Sequence, residues 1–217
     1  MSKRGRVPNV PNPAPIGEPM RKTKIKQIAE IESGYRFRGR VRDLPTGDFK
    51  LIQIRDFDDS RRLTTESMVR IEPGRNPGPS AARENDVIFL SRGHNLWATV
   101  LPSLGDKAII SGYFFIVRPD PQVLSPAYLA WYLNHTTFQR RLRERVRGTG
   151  IPMISLGDFR EQEIEVPPLE LQERVVALDE LVRSEQDLTK QLLDRRATLA
   201  SMACITAIHG LRDRKGI

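Results

Sequence analysis

Apolar and polar positions along the chain fall into three successive regimes. The first twenty residues, "MSKRGRVPNVPNPAPIGEPM", have no period at all and are proline-rich and basic. Such a stretch buries little surface and reads as a flexible arm, either an inert tail or a strand of charge that touches phosphates. Short runs follow. "KIKQIAEIESGY" predicts a short helix or strand stopped at Ser33-Gly34, and "FKLIQIRDF" alternates as a strand does. Val87 to Leu90 form a fully apolar strand ending near Gly93, with "NLWATVLP" as its hairpin neighbour, and "KAIISGYFFIVRP" is a strand pair broken at Ser111-Gly112. Several short strands with loops between them predict a small, curved sheet.

The period then changes to that of a helix. Ser125-Pro126 supplies a cap and a first-turn proline. Tyr128, Trp131, His135, Phe138, Leu142 and Val146 fall on one face before Gly148. A short turn and a last strand, "EQEIEV", lead to Pro167-Pro168. Two residues without N–H donors end a sheet and suit a helix entry. Beyond them Val175, Leu178, Val182, Leu192, Leu199 and Met202 recur at threes, fours and their sums between charged flanks. This is a narrow coiled-coil seam, interrupted at Glu185 and at Arg195 or Arg196, with Gly210 as its expected stop. The patterns together predict an α/β protein: a globule with a small curved mixed β-sheet and helices, followed by a long C-terminal coiled-coil helix. The expected divisions are a basic arm at 1–20, the globule at 21–167, a helix for pairing and spacing at 168–210, and a tail at 211–217.

Charge narrows the partners. The 217 residues carry a net charge of +8 with 39% hydrophobic side chains, a globular composition that favours anionic partners. No apolar run is long enough to span a bilayer. A single cysteine, Cys204, excludes an internal disulfide framework and fits the cytoplasm.

Catalytic chemistry is hard to find. His94, His135 and His209 lie far apart and none has a Cys or His at metal-binding spacing. His135, on the apolar face of its helix, reads as a satisfied core histidine. The glycines form no dinucleotide or phosphate loop, and no nucleophile elbow occurs. "NPGP" does not match an amino-methyltransferase motif. "RPDPQ" is not followed by the Asp/Glu-x-Lys of a metal-dependent nuclease. A binding protein without catalytic residues, metal or cofactor is the stronger reading. A small nuclease with a divergent site and a protein-only coiled-coil adaptor remain as alternatives.

Four stretches carry the chemistry of DNA contact. "YRFRGRVRD" alternates Arg36, Arg38, Arg40 and Arg42 with other residues, so an extended segment points them one way. They either grip DNA or guard a solvated strand edge. "QIRDFDDSRR" offers Gln53, Arg55, Arg61 and Arg62, but Asp56, Asp58 and Asp59 locally cancel that charge. "SRGHNLW" brings Arg92, His94 and Asn95 to one turn, where Arg and Asn can each make two hydrogen bonds to a base. In "QRRLRERVRGTG", Arg140, Arg143 and Arg147 share a helix side, only Glu144 offsets five arginines, and Thr149 lies in a loop rich in free amides.

With those residues in view, the chain resembles the specificity subunit of type I restriction-modification systems. The resemblance runs from about Lys24 to Leu211. It is strongest through the Gly148–Gly150 loop, the Ile154–Phe159 element, the Ile164–Val166 strand, Pro167 to Leu169, and Gln172. "ENDVIFLSRG" is similar to another family segment, with Asn85 where glycine is usual. The resemblance implies a target recognition domain that reads half of a bipartite site in double-stranded DNA, and a conserved helix on which methyltransferase (M) subunits dock. Family members hold two such units with their helices paired antiparallel. A half-length form with one unit implies a homodimer through antiparallel C-terminal helices, or exchange of helices with a longer relative.

Overall fold

A computed structural model describes residues 22–37, 39, 41–66, 68–144 and 152–214, with side chains on the last helix through residue 206. The arm, Arg38, Arg40, Arg147, Thr149 and the 148–150 loop lie outside the described residues.

The strands are β1 (Lys22–Lys24), β2 (Ala29–Ser33), β3 (Phe49–Ile52), β4 (Arg70–Ile71), β5 (Val87–Leu90), β6 (Ala98–Val100), β7 (Ala108–Ile110), β8 (Phe114–Pro119) and β9 (Glu163–Glu165). The helices are α1 (Pro126–Asn134), α2 (Thr136–Arg143), α3 (Leu156–Arg160) and α4 (Leu169–Arg214). The strands build three small open sheets. Four run antiparallel in the order β2-β8-β5-β6, three form a mixed sheet β4-β3-β7 in which β3 and β7 are parallel, and β1 pairs with β9.

The apolar run of β5 is explained by its place. It is central and buried on both faces, as continuous apolar strands tend to be. Val87 and Phe89 point into one core with Phe115 and Val117 of β8, while Ile88 and Leu90 point into a second core with Phe114 and Ile116. The first core is closed by α1, α2, α3 and β9. The second is closed by Ile52, Ala108 and Ile110 from the mixed sheet, whose far side holds Leu51, Ile109, Ile71 and Tyr35. The molecule is therefore layered, with helices on one side of the main sheet and the mixed sheet on the other. The "KAIISGYFFIVRP" pair is two strands as expected, yet they belong to different sheets. Asn85 takes φ 67°, the left-handed conformation that Asn accepts better than other side-chain-bearing residues.

Three expectations about the helix after Ser125 are corrected. The predicted single helix is two, broken at His135, whose ψ of 141° is extended. The cause is remote in sequence. The Asn134 side chain accepts from Ala98 N–H (3.0 Å) and donates to Ala98 O (2.8 Å), stitching the end of α1 to β6. Gln139 Nε2 then donates to the freed Leu133 carbonyl (2.6 Å). His135 is thus no core histidine: it is exposed, and its Nδ1 caps α2 by accepting from Thr137 N–H (3.4 Å). Ser125 precedes α1 but makes no side-chain cap; its N–H donates to Gln172 instead.

The helix α4 begins directly after Pro168 and runs through Gly210, so glycine does not stop it; one helical glycine costs only about 1 kcal/mol. Its 46 residues span roughly 69 Å. Only its root touches the first core. Gln172 is fully buried, with Oε1 accepting from Ser125 N–H (2.8 Å) and Nε2 donating to Val123 O (2.9 Å) and Pro167 O (2.7 Å). Val175 and Val176 pack beside it. From Leu178 onward the seam is exposed: Leu178, Val182, Leu192, Leu199 and Met202, and also Leu181, Leu188, Leu193 and Ile205, which the seam read from sequence did not include.

Candidate nucleic-acid interface

A cleft of about 530 Å³ opens where three segments meet: the turn after β3, the loop between β5 and β6, and α2. Each wall has a local cause. The "DDSRR" segment closes on itself as a tight turn. Arg61 N–H donates to Asp58 O (2.8 Å), and Asp58 Oδ1 accepts from Arg62 N–H (2.8 Å). This turn holds Arg61 at φ 62°, a conformation rare for arginine, so the fold presents that side chain at some cost. Its Nη1 donates to Asn134 Oδ1 (2.7 Å). Burial, and Arg183 of α4 nearby, hold its guanidinium below the ordinary arginine range. On the second wall Asn95 is exposed at the mouth, while Trp97 turns inward against Phe57 and Phe114 to form the floor. From α2, Gln139 and Arg143 face the cleft from positions four apart, which share a helix side.

The cleft thus gathers forked donors and amides over an aromatic floor. Asp58 and Asp59 at the rim offset some of its positive charge. Such groups can accept and donate to base edges and phosphates, and the aspartates penalise indiscriminate anion binding.

Of the residues named from sequence, Asn95 and Arg143 line this cleft and Arg140 is exposed one turn away on α2. Arg92 and His94 belong to the same β5–β6 loop as Asn95 but do not line the cleft. The Arg92 guanidinium lies 4.7 Å from the centre of the Tyr113 ring, with Nε enclosed and unpartnered. Its backbone bridges to Met153, and Gly93 N–H donates to Pro152 O (2.8 Å), so this loop is tied to the segment that follows residues 145–151. Gly93 has φ 113°, which any side chain there would strain. Arg55 is exposed near the cleft. Gln53 is half-buried, with its Oε1 enclosed and unpartnered.

Arg36 sits elsewhere. After Tyr35 the chain leaves the sheet, and the described residues among 36–44 form no strand, so Arg36 and Arg42 do not lie on a strand edge. Arg36 and Arg42 line a second groove of about 440 Å³, where Arg75 lies 5.2 Å from the centre of the Tyr35 ring. Arg141 plays a structural part instead, donating to Glu163 O (2.9 Å). Asn134, Gln139 and Arg75 were not among the residues expected from sequence, whereas Arg61 was named there with its charge read as cancelled by the neighbouring aspartates.

Among the described residues no three His, Cys, Asp or Glu side chains gather as a metal site. Nor is any described helix long and apolar enough to cross a membrane.

Comparisons with known proteins agree with this architecture. The family described as "Type I restriction modification DNA specificity domain" matches residues 17–195. A search of curated proteins finds no match. Among solved structures, the HsdS subunit from Thermoanaerobacter tengcongensis is 21% identical with a TM-score of 0.57, covering 81% of this chain and 40% of that one. The type I system S subunit from M. genitalium is 12% identical with a TM-score of 0.52, covering 79% and 41%. A chain from a study of type I R-M complex assembly and conformational transition is 20% identical with a TM-score of 0.63, covering 89% and 46%. At these identities the likeness is one of fold, and the chain spans less than half the length of those chains.

Proposed function

Because the chain belongs to the type I restriction-modification DNA specificity family, whose members are non-catalytic specificity subunits, we propose that it gives such a system its DNA address. The globule, 21–167, is a target recognition domain that reads one half of a bipartite duplex site. The helix, 168–210, pairs antiparallel with a second copy and offers the frame on which methyltransferase subunits dock in the cytoplasm. The chemistry on the DNA base belongs to those docked subunits. This chain needs no cofactor of its own.

The observation that carries the reading is the union of two features in one body. Asn95, Arg61, Gln139 and Arg143 converge on an aromatic-floored cleft. Gln172 fixes a helix of roughly 69 Å to that same globule, leaving its apolar seam uncovered. An exposed ridge of that kind marks an interaction surface. Paired across a two-fold axis, two globules face two inverted half-sites, and the helices set the gap between them.

The test is retardation of a duplex of mixed sequence by the purified chain across a salt series. The reading expects binding at low salt whose logarithm falls linearly with log salt, with a slope of about four or more phosphates. Absence of any retardation at 50 mM salt, despite the net charge of +8, contradicts it and favours a helix that binds protein alone.

A further inference from the structure

The exposed part of α4 contains a pattern beyond its apolarity. Leu178, Leu181, Glu185, Leu188, Leu192, Arg195, Leu199 and Met202 follow one another at alternating steps of three and four, the repeat of a left-handed coiled coil. All eight are exposed, and each apolar member is at least half so. The two interruptions, Glu185 and Arg195, are opposite in charge and stand at equal distances on either side of Lys190.

The apolar members share that symmetry. Turned antiparallel about residue 190, two copies set Leu178 against Met202 of the second copy, Leu181 against Leu199, Leu188 against Leu192, and Glu185 against Arg195. A parallel pair in register sets Glu185 on Glu185 and Arg195 on Arg195, which repel. The rest of the helix agrees. Residues 169–188 hold six carboxylates and two arginines, whereas 189–206 hold three cations and one carboxylate, so the antiparallel arrangement brings opposite halves together. The ion pairs α4 makes among the described residues are Glu170–Arg174, Asp179–Arg183 and Arg62–Asp187; Glu185 meets only the Thr189 hydroxyl (3.4 Å). Neither seam charge is committed to an ion pair within the described chain.

We propose that Glu185 and Arg195 are the orientation- and register-setting residues of a self-paired α4, two reciprocal Glu–Arg layers that admit a second copy antiparallel about residue 190 and reject other alignments. This rests on the self-pairing argued above and adds its register. Charged residues inside an otherwise apolar seam reduce its stability and select its partner and alignment. The same register sets Ile205 of the second copy beside Val175, at the mouth of a pocket of about 210 Å³ between α1 and the root of α4, where Trp131 and Leu171 add apolar surface.

The test uses the full chain in sedimentation equilibrium, with circular dichroism to confirm that helix content is unchanged. Glu185→Arg alone and Arg195→Glu alone each weaken dimerisation by about 100-fold or more, because each creates two like-charge layers. The double variant Glu185→Arg/Arg195→Glu restores it to within a few-fold, and an equimolar mixture of the two single variants dimerises. Orientation is read separately. In a Cys204→Ser background, a mixture of Leu178→Cys and Met202→Cys chains forms disulfide-linked dimers on oxidation, and neither variant does so alone. Dimers that ignore both charge reversals, or Leu178→Cys chains that cross-link to themselves, overturn the register and leave self-pairing standing. A wild-type chain that is monomeric at tens of micromolar overturns both.

Discussion

Asp56 is a fully buried carboxylate at the start of the turn that carries Arg61. One oxygen accepts from Gln53 N–H (2.7 Å), while Oδ1 has no hydrogen-bond partner. Burial pushes its carboxyl above the usual range, against the pull of the Gln53 amide and of Arg55. A raised acid in the folded state contributes stability below its unfolded pKa, and that contribution is lost as pH rises through the folded value. Asp56→Asn keeps an acceptor for Gln53 and removes the buried charge. It should melt above the wild type at pH 8, with an advantage that shrinks toward pH 4 in a calorimetric series. At the same scale, the proposed DNA contacts predict a division of labour between Arg143 and Arg92. Arg143 stands at the cleft on α2, with no fixed partner among the described residues; Arg92 is held against Tyr113. Arg143→Ala should weaken binding to specific and random duplexes alike and lower the salt slope by about one, whereas Arg92→Ala should narrow the gap between them. Competition titrations measure both, and equal losses for the two variants on both duplexes contradict the division. Asn95 and Arg143 were legible from residue type and local charge. Arg61 was named but discounted, because charge counting does not show that the turn buries Asp56 and sets only Asp58 and Asp59 at the rim.

Elements were legible wherever one segment's own period decides its conformation. The four-residue apolar run of β5, the proline entry to α1 and the proline entry to α4 are local signals, and each appears in place. The break at His135 is different. It depends on Asn134 meeting Ala98, a partner far away in sequence, and no helical spacing announces that. The splitting of the strands among three sheets is likewise decided by which side of β5 each neighbour packs on. Gln172 shows how an element is joined to the body. Its amide satisfies one backbone N–H and two carbonyls between α1, the last strand and α4. Gln172→Ala leaves those buried groups without partners, at a cost of about 3 kcal/mol. Urea unfolding should report that loss, with a helix signal from α4 that frays before the globule melts. A cooperative curve unchanged from the wild type contradicts the anchoring role. A second clasp, Lys24 and Lys26 on Glu161, holds β1 to the segment after α3, and their hydrogen bonds bring the Glu161 carboxyl down to about 2. Its contribution is present above the ordinary glutamate range and fades as pH falls toward 2.

At the scale of the molecule, a basic layered globule and an uncovered helix are one mechanical unit. The seam residues Leu178, Val182, Leu192, Leu199 and Met202 were named from spacing alone, and the structure leaves all five exposed. Their exposure could not be known from sequence, since the same stripe could have folded back onto the globule as Val175 does. The account holds that two such units, joined through their helices, read two inverted halves of a split site. Selection of bound duplexes from a random pool by the purified chain tests this most directly. The account predicts enrichment of a short motif and its inverted copy, separated by a gap of fixed length without base preference. Enrichment of a single uninterrupted motif, or of none over the input pool, would contradict it.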